Sequence, residues 1–208
     1  MDQQSSTKGF SILCVTNRSL CDGDFWVRFE RIAAAHPGGM ILREKELSAE
    51  AYKAMAEQAL CICKKHRIPC ILHSFADVAI ELGADAIHLP LPRLRELNEQ
   101  EKRRFKSIGT SCHSLEEALE AERLGCTYMT VGHIFETDCK KGLPGRGVDL
   151  LEKICESVLA PVYAIGGIGK ENVMKVKQAG AQGACIMSGF MQCEDVETYL
   201  RNMEKECE

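Results

Sequence analysis

The same short pattern recurs three times along the chain: a helix-like segment ends at a glycine, and a buried strand-like run begins about two residues later. The three glycines are Gly83, Gly125 and Gly180. Glycine takes the left-handed conformation that closes a helix at little steric cost, and short apolar runs with β-branched residues are typical of buried strands. The pattern therefore predicts a repeating βα unit.

Strand-like runs of this kind occur along the whole chain, with helix-like segments between them and no change in composition. The predicted strands are residues 11–16, 40–42, 69–72, 85–89, 106–112, 127–131, 161–165 and 183–187. This order favours a closed (β/α)8 TIM barrel of the α/β class over an open sheet. We expect a single domain over residues 1–208, with residues 1–9 as a polar N-terminal tail.

Composition excludes several classes of protein. The formal net charge is −4 with mixed signs, so there is no basic field for nucleic acid. No apolar run is long enough for a membrane span or a signal peptide, which predicts a cytoplasmic protein. Twelve cysteines in such a protein indicate reduced core thiols, and we expect no metal site.

The segment after the sixth predicted strand, residues 132–147, is too polar and too rich in glycine to be a packed element. In a parallel barrel such a loop lies at the edge where chemistry is done. His133 stands two residues past the strand, and an imidazole can exchange a proton near neutral pH. Lys140 and Arg146 indicate either a mobile lid over a ligand or a solvated surface.

Two glycine-containing sequences follow the last two predicted strands, at Gly166-Gly167-Ile168 and at Met187-Ser188-Gly189. Barrels of this class often hold a phosphate there, because bare backbone N–H groups can approach the anion. The alternative is that the glycines serve only tight turns. Arg43 and Lys45, after the second strand, are either a clamp for an anionic group or a solvated pair.

Nearly the whole chain resembles the thiamine phosphate synthase superfamily, through residues 42–48, 82–89 and 165–168 together with Ser188. The resemblance implies a TIM barrel in which residues 42–48 grip a pyrimidine pyrophosphate. The synthases also bind magnesium through two aspartates, for which this chain has Ser74 and Arg93. A serine and an arginine cannot replace two oxygen ligands of a hard cation.

The loop sequence, residues 132–148, is similar to that of the TenI-type thiazole tautomerases. This resemblance implies an isomerase that shifts a proton on a carboxythiazole phosphate, with His133 as the acid/base and no metal or other cofactor. The substrate-binding residues expected around it are Arg43, Lys45, Ser111, Thr137, Lys140, Gly166, Gly167, Met187, Ser188 and Gly189.

The expected function is therefore a thiazole tautomerase acting on a small-molecule thiazole phosphate. One alternative is thiamine phosphate synthase, which joins hydroxymethylpyrimidine pyrophosphate to thiazole phosphate and would require magnesium. The other is a non-catalytic regulator that binds thiazole phosphate. Whether the barrel is a monomer or a homodimer stays open, as do the roles of His73, His88 and His113.

Overall fold

The computed structural model describes residues 9–208, and the tail predicted for residues 1–9 therefore lies almost entirely outside the described residues. Eight parallel strands pair in chain order and close into a ring between β1 and β8. The strands are β1 (Ser11–Val15), β2 (Gly39–Arg43), β3 (Cys70–His73), β4 (Ala86–Pro90), β5 (Ser107–Cys112), β6 (Tyr128–Gly132), β7 (Val162–Ile165) and β8 (Gly183–Ile186). The predicted TIM barrel is confirmed.

Helices connect the strands and cover the outside of the barrel. They are α1 (Phe25–Ala34), α2 (Ala49–His66), α3 (Ala76–Glu81), α4 (Leu91–Glu96), α5 (Glu99–Lys102), α6 (Leu115–Arg123), α7 (Val148–Ser157), α8 (Val173–Gln178), α9 (Ser188–Gln192) and α10 (Val196–Lys205). Among residues 9–208, no helix combines the length and the apolar character that crossing a membrane requires.

Two helical segments differ from the sequence-based expectation. The charged sequence of residues 93–104 predicts one solvated helix. The structure forms α4 and α5 there instead, because Asn98 accepts backbone N–H groups and starts a second helix. Leu94 of α4 is buried, so this helix packs against the barrel. The sequence also predicts one C-terminal helix over residues 191–205. The structure divides this segment between α9 and α10, with Asp195 capping α10.

The apolar core has two parts, one outside the strands and one inside the barrel. Outward-facing strand residues pack against the helices in the larger part. The interior part consists of Leu13, Val15, Ile41, Ile71, Ala86, Tyr128 and Cys185, with Tyr163, Ile165 and Met187 packed against it. Because these side chains fill the barrel, a ligand has access only at its ends.

Candidate active site

Polar side chains occupy the next inward-facing positions toward the carboxyl ends of five strands. Successive strand residues alternate between the two faces, so a residue two positions past an interior residue also faces inward. The residues placed in this way are Arg43, His73, His88, Ser111 and Thr130. They form a continuous polar arc across β2 to β6, directly above the apolar interior.

Arg43 and Lys45 bring two positive charges to the carboxyl end of β2. Arg43 is half-buried and lies in register with His73 of β3, whereas Lys45 is exposed beyond the strand. Neither side chain forms a salt bridge within residues 9–208. A partly buried guanidinium without a counter-ion is costly, so this position favours an anionic ligand.

Glu44, between the two cations, is committed to the fold. Its carboxylate is fully buried, accepts a 2.7 Å hydrogen bond from the hydroxyl of Thr16, and accepts the backbone N–H of Arg18. Burial raises the pKa of Glu44. These contacts attach the end of β2 to the loop after β1, and they hold the backbone that carries Arg43.

His73 and His88 stack on each other inside the mouth, with ring centroids 5.7 Å apart. Burial, followed by the charge of Arg43, lowers the pKa of His73 to about 4. Burial and the neighbouring His73 lower the pKa of His88 to about 3. Both rings are therefore neutral at physiological pH. The Nδ1 atom of His73 is buried and has no hydrogen-bond partner among the described residues.

His88 connects three hydroxyl groups. Its Nδ1 lies 3.0 Å from the Tyr128 hydroxyl and its Nε2 lies 2.9 Å from Oγ of Ser111. The Thr130 hydroxyl also donates to Ser111 Oγ, at 3.3 Å. Ser111 is half-buried, so its hydroxyl is held at the boundary between this network and the open mouth.

The polar groups of the loop after β6 contact other residues of the same loop. The Nε2 atom of His133 lies 3.2 Å from the carbonyl oxygen of Leu143, in the same loop. Thr137 accepts the N–H of Cys139 and starts a short 3₁₀ turn, Asp138–Lys140, in which Lys140 is exposed. The loop borders an open pocket of about 630 Å³. Loop residues line this pocket, namely Glu136, Thr137, Asp138, Lys140, Lys141, Gly142, Leu143 and Pro144.

The glycines after β7 lie directly against this loop. A β-carbon on Gly166 would come within 2.3 Å of the His133 β-carbon, and one on Gly167 would come within 2.3 Å of the Glu136 carbonyl oxygen. Both glycines also have positive φ angles. Close packing of the loop is therefore sufficient to explain them, and their predicted contact with phosphate stays a prediction.

The residues after β8 are only partly available to a ligand. Ser188 is exposed at the start of α9, while Met187 packs against the barrel interior. A β-carbon on Gly189 would lie 1.9 Å from the Tyr199 hydroxyl, so packing against α10 explains this glycine.

The structure thus divides the predicted site residues into two groups. Arg43 and Ser111 belong to the polar arc with His73 and His88, two histidines that the sequence predicts at strand ends, and Lys45 lies just beyond the arc at the end of β2. The others lie on the β6, β7 and β8 loops, namely His133, Thr137, Lys140, Gly166, Gly167, Met187, Ser188 and Gly189.

Three other residues lie where the sequence did not predict a role for them. His113 is exposed and its Nδ1 lies 3.2 Å from the Glu117 carboxylate, outside the barrel interior. Tyr128 and Thr130 were not identified as site residues. Side chains alternate between the two faces of a strand, so Tyr128 and Thr130 both face inward on β6, as His88 does on β4. This alternation is the sequence feature that could have identified them.

The two positions at which the resemblance implies magnesium-binding aspartates do not fit a divalent cation. Ser74 offers a single neutral hydroxyl, and Arg93 is an exposed cation paired with Glu96. Within residues 9–208, no group of three or more histidine, cysteine, aspartate or glutamate residues is placed to hold a metal ion. A hard cation such as Mg²⁺ requires oxygen ligands that this mouth does not provide.

Comparison with known proteins gives a consistent result. The sequence profile described as thiamine monophosphate synthase matches residues 12–190. A thiamine-phosphate synthase of Clostridium acetobutylicum is 37% identical over 183 residues, which cover 84% of this chain and 85% of the relative. A thiamine-phosphate synthase of Syntrophomonas wolfei is 33% identical over 205 residues, which cover 94% of this chain and 95% of the relative.

Solved structures agree. A thiamine phosphate pyrophosphorylase from Pyrococcus furiosus superimposes with a TM-score of 0.82 and 27% identity, covering 97% of this chain and 96% of that one. A 3-hexulose-6-phosphate synthase has a TM-score of 0.70 at 14% identity, covering 96% of this chain and 100% of that one, and it supports the barrel fold alone.

These relatives overturn the predicted function. The expectation of a thiazole tautomerase, an isomerase, is wrong, because the similar proteins are named as synthases and match nearly the whole barrel. A catalytic role for His133 stays a prediction, although its acid/base role was specific to the isomerisation. The chain belongs to the thiamine monophosphate synthase family.

Proposed function

We propose that this protein is a thiamine-phosphate synthase, a transferase that joins hydroxymethylpyrimidine pyrophosphate to thiazole phosphate and releases pyrophosphate. The observation that carries the proposal is the similarity along the whole barrel to proteins of that name, at 33% identity over 205 residues for one of them. Residues 42–48, which resemble the stretch that grips the pyrophosphate, supply Arg43 and Lys45 at the mouth.

The arrangement of charge suits a reaction with two anionic substrates. Arg43 and Lys45 lie at the end of β2, whereas Lys140 belongs to the loop after β6, four strands away in a ring of eight. The two cationic groups therefore follow strands on opposite sides of the ring. A pyrophosphate on one side and a phosphate on the other would place the two heterocycles over the centre.

The transfer needs no oxidant or reductant. The bond between the pyrimidine methylene carbon and the bridging oxygen breaks, and its electron pair leaves with the pyrophosphate. The ring nitrogen of the thiazole supplies the electron pair of the new C–N bond. Arg43 and Lys45 would stabilise the charge that develops on the leaving group, because preorganised cations in a partly desolvated site act on that charge directly.

The test is an assay of product formation in the unmodified protein and in a variant that lacks the Arg43 charge. The purified protein is incubated with both substrates, and thiamine phosphate is detected by chromatography after oxidation to its fluorescent derivative. We expect product, and a decrease in rate of roughly 100- to 1,000-fold in Arg43→Gln, the range typical for removal of one group that stabilises developing charge.

A matched control is Lys64→Gln, which removes an exposed charge from the last turn of α2 and should leave the rate unchanged. Absence of product with and without added magnesium would contradict the proposal. If Arg43→Gln forms product as fast as the unmodified protein, Arg43 does not stabilise the leaving pyrophosphate.

Some expectations remain proposals at this point. We place the protein in the cytoplasm, where phosphorylated intermediates are retained, and we take thiazole phosphate as the second substrate. Dimerisation and the roles of the β7 and β8 loops in phosphate binding also stay predictions.

A further inference from the structure

We propose that this protein binds the pyrophosphate group through Arg43 and Lys45 without a divalent cation. The inference rests on the proposed function, because it concerns the same substrate group. It departs from the magnesium-dependent site that the family resemblance implies, and residues of this chain alone support it.

The first support is the absence of a counter-ion at the two cations. Arg43 is half-buried, faces the neutral ring of His73, and forms no salt bridge within residues 9–208. Lys45 is exposed and likewise forms no salt bridge in that part of the chain. A guanidinium presents a planar fork of N–H donors that matches phosphate oxygens. A pyrophosphate group would satisfy the charge and the donors of Arg43 together.

The second support is that the carboxylates closest in sequence to Arg43, Lys45 and Arg93 are already engaged. Glu44 accepts hydrogen bonds from Thr16 and Arg18, and Glu46 pairs with Arg18 at 3.1 Å. Glu96 pairs with Arg93. A metal ion bound here would have to compete with these contacts, and within residues 9–208 no group of three or more histidine, cysteine, aspartate or glutamate side chains is placed to ligate one.

The third support is the charge balance at the two altered positions. Two aspartates and one magnesium ion together carry no net charge. Ser74 and Arg93 together carry one positive charge. Because Glu96 pairs with Arg93, the net charge here is again zero, so losing both carboxylates together with the ion leaves no excess of negative charge to repel an anion.

The experiment is calorimetric titration of inorganic pyrophosphate into the purified protein, once in EDTA and once in millimolar magnesium chloride. We expect binding in EDTA, with no tightening when magnesium is added. Because magnesium chelates pyrophosphate in solution, its addition should leave the apparent affinity unchanged or weaken it. Magnesium chloride alone should give no binding heat.

Variants relate the binding to the residues. Arg43→Gln should weaken pyrophosphate binding at least tenfold, Arg43→Lys should recover part of that loss, and Lys64→Gln should have no effect. In the double variant Ser74→Asp with Arg93→Asp, which restores both carboxylates, magnesium should tighten binding. That variant is the positive control for a magnesium response.

Each result decides a distinct point. A fivefold or greater tightening by magnesium in the unmodified protein overturns the inference, whatever the double variant does. Absence of pyrophosphate binding in both buffers also overturns it. Metal-independent binding without any thiamine phosphate formation would contradict the proposed function while leaving the inference on the anion site intact.

Discussion

At the scale of single residues, the mouth is defined by histidines that burial keeps neutral. His88 is enclosed by Tyr128, Ser111, Thr130 and His73, and protonation would place a charge where no carboxylate is in contact. His73 also faces the positive charge of Arg43, the second cause of its lowered pKa. The neutral rings can thus serve as hydrogen-bond donors and acceptors without adding charge to the anion site.

These pKa values predict acid sensitivity. The pKa is about 4 for His73 and about 3 for His88, compared with about 6.5 in the unfolded chain. The unfolded state therefore binds more protons below pH 6.5, so the contribution to stability is complete above that pH and is lost as the pH falls toward the folded-state values. Each histidine should lower the free energy of unfolding by about 2 kcal/mol between pH 8 and pH 5.

Urea denaturation followed by circular dichroism at a series of pH values measures this loss. In His88→Gln the decrease between pH 8 and pH 5 should be smaller by about 2 kcal/mol. The exposed His36, replaced in His36→Asn, is the control and should leave the decrease as it is. A pH dependence equal in His88→Gln and in the unmodified protein would show that His88 is not the source.

At the scale of elements, one glycine in β5 determines how β4, β5 and β6 meet inside the barrel. Gly109 is in register with Tyr128 of β6 and with His88 of β4. A β-carbon on Gly109 would lie 2.0 Å from Cζ of Tyr128, so the ring occupies the space that a side chain would fill. The Tyr128 hydroxyl reaches His88 because of this vacancy.

Gly109→Ala should therefore destabilise the protein by about 1–3 kcal/mol, the usual cost of overpacking a well-filled core. The Tyr128 ring has to move, and the contact of its hydroxyl with His88 should weaken. Equilibrium denaturation gives the stability change, and near-ultraviolet circular dichroism reports the aromatic rearrangement. Gly9→Ala, where nothing lies within 4 Å of the added carbon, is the control. Equal stability of the two variants would refute the packing account.

At the scale of the whole molecule, the cysteines follow the layering of the barrel. All twelve are free, and they are buried or half-buried except for Cys61 and Cys139. Cys61 and Cys63 on α2 separate as expected for residues two apart on a helix, one exposed and one buried. The thiols thus serve mainly as small apolar groups, and burial raises the pKa of Cys185 and Cys14 well above the usual range.

Titration of the native protein with a thiol-specific chromogenic reagent should show two rapidly reacting thiols, and all twelve after denaturation, because reactivity requires access and the thiolate form. The double variant Cys61→Ser with Cys139→Ser should lose the rapid phase. Rapid reaction of four or more thiols in the native state would mean that the barrel opens far more readily than its packing implies.

Local patterns in the chain were enough to predict the barrel. These patterns are helix-closing glycines, alternating βα units and buried strand-like runs. Each of them depends only on residues close together in the sequence. The same patterns located Arg43, Lys45 and the histidines at strand ends. They were weakest where one helical stretch became two, because the caps at Asn98 and Asp195 interrupt an otherwise helical run.

Tertiary structure decided what those residues face. Whether a strand-end histidine enters the barrel depends on strand register, which brings His88 beside Tyr128 and leaves His113 outside on Glu117. Likewise, the glycines after β7 are explained by a loop that packs on them from β6. Such contacts join residues distant in the chain, and their geometry exists only once the ring of strands has closed.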